Sequence, residues 1–162
     1  MSDRLNEILY RVTGEVLEKL AFIFSYPESE GDDIHDESLT AAKVVFAGPY
    51  SGHLAMVVST AVLPELAANM AGVDEEETTA DVQADTLKEV INIVCGNLLP
   101  KIFGRQTVFD VQAPQIIPVG EALSNADRSP LATATLILDE GRCEVRFFTD
   151  GDIPLEAMAG AV

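Results

Sequence analysis

Positive charge is scarce in this sequence. Ten lysines and arginines stand against 27 aspartates and glutamates, giving a formal net charge of −17 at pH 7. Affinity for nucleic acid is built from lysine and arginine contacts to phosphate, so DNA, RNA and anionic membrane surfaces are poor candidates as partners. Cysteine is nearly absent too. Cys95 and Cys143 lie far apart in apolar runs, which reads as two buried reduced thiols rather than a disulfide, and neither has metal-ligand spacing. Histidine occurs twice. His35 stands among six acids in the stretch 25–40, which also holds Pro27 and Gly31; this reads as an exposed charged loop, with a metal site as the alternative. His53 has no sequence neighbour that would complete a catalytic triad. No apolar stretch reaches the roughly 18 residues needed to span a bilayer, and the N-terminus lacks the pattern of a secretory signal. A soluble cytoplasmic protein is the expectation. There is also no Gly-rich phosphate loop and no nucleophile beside a base, which argues against a small hydrolase working on its own.

What is present suffices for a core. With 162 residues, 48% of them hydrophobic, the chain is long enough for one domain spanning 1–162. Residues 3–24 carry Leu5, Ile8, Leu9, Val12, Val16, Leu20 and Ile23 at helical steps, with Gly14 as the weak point. Runs at 41–48 and 53–59, split by Pro49 to Gly52, predict a β-hairpin. Thr60 is placed to cap a helix reaching about Met70. A second acidic connection follows at 74–79. Beyond the central helix, 106–112 alternates as a strand and 113–118 continues extended. Residues 119–130 read as a loop or short helix, 131–139 and 142–149 as a second hairpin, and 150–162 as a loosely docked tail.

The chain is organised around Asp85 to Gly104. At about 100° per residue, Asp85, Glu89, Asn92 and Gly96 fall within roughly 60° of one another, while Leu87, Ile91, Val94, Cys95, Leu98 and Ile102 take the opposite side. One helix therefore presents an apolar face to a core and a polar stripe to something else. Gly96 inside a helix costs about 1 kcal/mol relative to alanine and calls for a reason, such as room for a partner. Pro100 predicts a bend or break before Gly104 closes the helix.

Asp85-x3-Glu89-x2-Asn92, followed after 21 residues by Pro114, resembles the signature of the CheC/CheX/FliY chemotaxis phosphatases, in which the proline follows after 22. The resemblance implies an α+β, CheC-like fold: a pseudo-twofold α/β repeat with two long helices packed on a largely antiparallel sheet. The half-repeats would be about 1–73 and 74–150, with 151–162 as tail. Glu15 to Ala21 resembles Glu89 to Cys95, which places Glu18 opposite Asn92, Arg11 opposite Asp85 and Phe22 opposite Gly96. On that register the first helix has lost the triplet, as in the single-site CheX branch.

The resemblance further implies a substrate, the aspartyl phosphate of a CheY-type response regulator. That partner supplies Mg²⁺ and a lysine, and no cofactor or metal is expected in this chain. Asn92 would hold the attacking water in line, since a carboxamide both donates and accepts. Glu89 would engage the receiver lysine, Asp85 would support docking, and Gly96 would clear the face. A homodimer formed through sheet edges or hairpins is also implied. The alternative reading is a non-catalytic module of the same fold that binds a receiver or a motor component.

Overall fold

In the computed structural model, residues 2–26, 38–124 and 128–161 are described. The acidic stretch around His35 and residues 125–127 lie outside them. Leu5, Ile8, Leu9, Val12, Val16 and Leu17 are buried along one side of the first helix, α1 (Ser2–Ala21). It stops short of Phe24. Phe22 turns into the left-handed region (φ 55°), its N–H reaches Glu18 O at 3.0 Å, and Asn69 donates its carboxamide to Ala21 O at 2.6 Å. A left-handed backbone costs a bulky residue about 1–2 kcal/mol, which these closing hydrogen bonds offset.

The first hairpin forms as β1 (Leu39–Ala47) and β2 (Gly52–Ser59). Thr60 does not cap the next helix. Its hydroxyl joins those of Ser38 (3.2 Å) and Thr40 (2.8 Å), tying the end of β2 to the start of β1. A 3₁₀ turn, Thr60–Val62, intervenes before α2 (Leu63–Ala71), and Pro64 falls in the first turn of α2, where a missing N–H costs nothing.

The central helix is α3 (Ala80–Phe103), capped by Thr79, whose hydroxyl accepts from Val82 N at 3.2 Å. It runs unbroken through Pro100, against expectation. Leu98, Leu99, Ile102 and Phe103 are all buried around the proline and hold the last turn in place, and Gly104 (φ 92°) ends it. Of 106–112 only Asp110–Val111 forms a strand, β3, because its partner β1 ends at Ala47; Phe109 packs edge-on to Phe46, while Val108 and Val111 are exposed. Then come β4 (Gln115–Ile117), a single helical turn α4 (Val119–Ala122), β5 (Ala132–Leu138) and β6 (Gly141–Thr149).

The sheet order is β3-β1-β2-β6-β5, with β4 also on β1 and every pairing antiparallel. The α+β expectation holds. Helices α1 and α3 lie side by side on one face, over Val44, Phe46, Met56, Leu136, Val145 and Phe147. On the other face α4 covers only Ala41, Ala55 and Val57.

Two further expectations change. The tail is not loose: Leu155–Ala161 forms 3₁₀ turns against the end of α3, Met158 is buried in the core, and a Cβ at Gly160 would run into the Lys101 carbonyl. The repeat register also moves. The order β1-β2-β6-β5 reads the same from either side of the β2–β6 pair, and both long helices end at a residue of positive φ, Phe22 and Gly104. Aligning those ends pairs Leu5 with Leu87, Ile8 with Val90, Leu9 with Ile91, Val12 with Val94, Val16 with Leu98 and Leu17 with Leu99, every one buried. Short sequence similarity chose a different pairing because Glu-Val-Leu against Glu-Val-Ile matches residue types without regard to which face they occupy.

Candidate functional site

Nine buried residues fix α3 against the core, and the stripe they leave outside is the one the sequence singled out. Asp85, Glu89, Asn92 and Gly96 are all exposed. Among the described residues Glu89 and Asn92 have no hydrogen-bond or ion-pair partner, so both side chains are free to meet another molecule. Asp85 is not free. Its carboxylate lies 3.2 Å from the Lys88 ammonium, one turn along the helix. An exposed pair of this kind is worth about 0–1 kcal/mol, which leaves Asp85 available for exchange.

Two features escape sequence reasoning. The end of α2 lies alongside the start of α3, so Asp85 and Glu89 border an open hollow of about 380 Å³ together with Met70, Ala71 and Val82. Only the chain's return after the first hairpin puts α2 there. The second concerns Gly96 and Pro100. Proline has no N–H, so the carbonyl of Gly96, four residues earlier, lacks its helical donor on the exposed face. A Cβ at Gly96 would meet nothing within 4 Å. No packing among the described residues demands the glycine.

The corrected register shows why α1 offers no equal site. Asp3, Glu7 and Gly14 occupy the positions of Asp85, Glu89 and Gly96, but Tyr10 stands where Asn92 does. Glu7 is held by Arg4 (3.3 Å) and Arg11 (2.8 Å). Ser25 Oγ lies 3.6 Å from where a Gly14 Cβ would be, so the returning chain covers that face. The pairing of Arg11 with Asp85, Glu18 with Asn92 and Phe22 with Gly96 is therefore replaced, while the conclusion that α1 has lost the triplet stands.

The other reactive residue types are occupied elsewhere. Burial pushes both the Cys95 and Cys143 thiols up to about 12. His53 stacks on Phe148 at 4.5 Å on the sheet face away from α3; burial, with Lys43 beside it, lowers its pKa. Among the described residues no three His, Cys, Asp or Glu side chains gather as a metal site, and no helix is long and apolar enough to cross a membrane.

The sequence profile of the chemotaxis phosphatase CheX matches residues 40–133, a span that contains the exposed triplet. The chain belongs to the CheX family. It is similar in fold to a CheX from Desulfovibrio desulfuricans, with 16% identity over 90% of this chain and 99% of that one, TM-score 0.67. It is similar also to CheX from Vibrio vulnificus (13% identity, 90% and 96% coverage, TM-score 0.66). The CheX of a CheX-CheY-BeF3-Mg²⁺ complex from Borrelia burgdorferi is a third (21% identity, 90% and 97% coverage, TM-score 0.62). No curated protein sequence matches it. Membership makes the chain a CheX-type chemotaxis phosphatase, and its α+β architecture is that of the family.

Proposed function

We propose that this chain hydrolyses the aspartyl phosphate of a CheY-type response regulator by inserting Glu89 and Asn92 into the regulator's own site. The observation that carries the reading is the unpartnered, exposed Glu89–Asn92 pair on a helix anchored by its buried side. A rigid mount matters because hydrolysis of an acyl phosphate needs little covalent help and much positioning. Asn92 holds the water in line with the phosphorus, accepting one of its protons in a hydrogen bond while its NH₂ donates to a phosphoryl oxygen. Glu89 meets the receiver lysine. Asp85 exchanges Lys88 for a partner group, and Gly96 lets the partner's backbone approach. Mg²⁺ comes with the receiver, and the family's solved complex with CheY and Mg²⁺ is consistent with that division.

The same reading places the protein in the cytoplasm, where receivers are, as a homodimer. Release of phosphate from a phosphorylated receiver, beside a titration against a beryllofluoride-loaded one, tests it. Asn92→Ala removes an interaction made in the transition state, so turnover falls about 100-fold while affinity hardly changes. Glu89→Gln weakens both, since a charge-assisted contact is worth about 1.5–3 kcal/mol. Equal turnover in wild type and Asn92→Ala would leave the non-catalytic binding module as the better account.

A further inference from the structure

Helices α1 and α3 do not close fully against each other on the solvent side. A groove of about 200 Å³ runs along their seam, with Val16 and Leu20 of α1 and Ile93 of α3 as its apolar floor and Lys19, Asn97 and Lys101 on its rim. Its position is telling. Ile93 and Asn97 directly follow Asn92 and Gly96, so a molecule seated on the exposed stripe reaches the seam by covering one further side chain's width.

Charge says what kind of segment fits. In a chain of net charge −17, five of the ten lysines and arginines are held in ion pairs: Arg4 and Arg11 by Glu7, Lys88 by Asp85, Arg128 by Asp152, Arg146 by Glu144. Lys19 and Lys101 are both exposed and, among the described residues, neither is ion-paired, although Glu15 lies on the same groove one turn from Lys19. Two free ammonium groups flanking an apolar trough suit a segment with an acidic side chain beside an apolar one. They also answer a difficulty of the proposed reaction, because an aspartyl phosphate is an anion that the rest of this surface repels.

We infer that the α1–α3 seam is the second contact of the docking surface, taking an acidic segment of the phosphorylated receiver between Lys19 and Lys101. This rests on the receiver being the partner of the Glu89–Asn92 stripe. The seam adds affinity and orientation, and the chemistry stays with the stripe.

The test uses the full chain with Lys19→Glu and Lys101→Glu made singly, and Arg128→Glu on the opposite sheet face as a change of equal charge. Titration against a beryllofluoride-loaded receiver at several salt concentrations is paired with phosphate release. Each lysine variant should lose about fivefold in affinity, with a matching rise in KM, kcat within twofold of wild type, and a flatter salt dependence. Arg128→Glu should do none of this. Unchanged affinity in both lysine variants, or an equal loss in Arg128→Glu, overturns the seam. Wild type that binds the receiver without hydrolysing it removes the phosphatase reading while the titration still decides the seam; wild type that binds no receiver overturns both.

Discussion

Gly96 separates the needs of the fold from the needs of a partner. Among the described residues its missing side chain relieves no contact, and helix propensity alone favours alanine there by about 1 kcal/mol. Gly96→Ala should therefore raise Tm by about 2–4 °C for a chain of this size. If the stripe docks a receiver, the same methyl lowers affinity in the beryllofluoride titration. A thermal melt showing a lower Tm would mean that the glycine serves the helix, for example by accommodating Pro100, and not the partner. Asn92 and Glu89 were legible from type and spacing, because a three-residue step and a four-residue step keep side chains on one face whatever surrounds the helix. The Asp85–Lys88 pair obeys the same spacing, but both side chains are exposed and long enough to choose other rotamers, so spacing alone does not decide that they meet.

At the scale of elements, α1 and α3 are two versions of one helix with different fates. Their buried sides agree position by position, whereas their outer sides differ at the residue that would hold the water: Tyr10 against Asn92. A phenol cannot accept from a water and donate to a phosphoryl oxygen in the geometry of a carboxamide. Glu7→Gln should thus leave turnover within twofold of wild type, in contrast to Glu89→Gln, when phosphate release is measured on both. A loss in Glu7→Gln as large as that in Glu89→Gln would place a second working face on α1. The reach of α3 through Pro100 belongs to this scale too. Local chemistry predicts a break, and the burial of Leu98, Leu99, Ile102 and Phe103 overrides it because those four side chains find a core only if the helix continues.

For the whole molecule the question is which sheet edge remains open. The β5 edge is taken: Tyr26 and Ile137 exchange backbone hydrogen bonds (2.8 and 3.3 Å), and Thr133 N donates to the Asn6 carboxamide at 2.8 Å. The β3–β4 edge instead carries exposed Val108, Val111 and Ile116. Open apolar edges recruit another strand, so the proposed homodimer joins there. Light scattering at tens of micromolar should give twice the chain mass for wild type and one chain mass for Ile116→Lys. A wild-type monomer removes the dimer, and a dimeric Ile116→Lys moves it elsewhere.

The sequence by itself determined the elements and the stripe. Period-two and helical patterns report which side of a segment is apolar, and that information is local: it held for both hairpins, both long helices and the outward face of α3. Where it failed, the deciding partner was distant in sequence. The 106–112 run was read as a longer strand because its alternation is real and Phe109 does reach the core, but β1 ends at Ala47, so the ladder is confined to Asp110–Val111. The tail was read as loose because two glycines and a proline resist regular structure, yet Gly160 is what lets it press against Lys101. The repeat register, the hollow beside α2, the lysine-rimmed seam and the blocked β5 edge each need two segments brought together. Side-chain spacing along one segment cannot report that, and only the packing of helices on the sheet decided it.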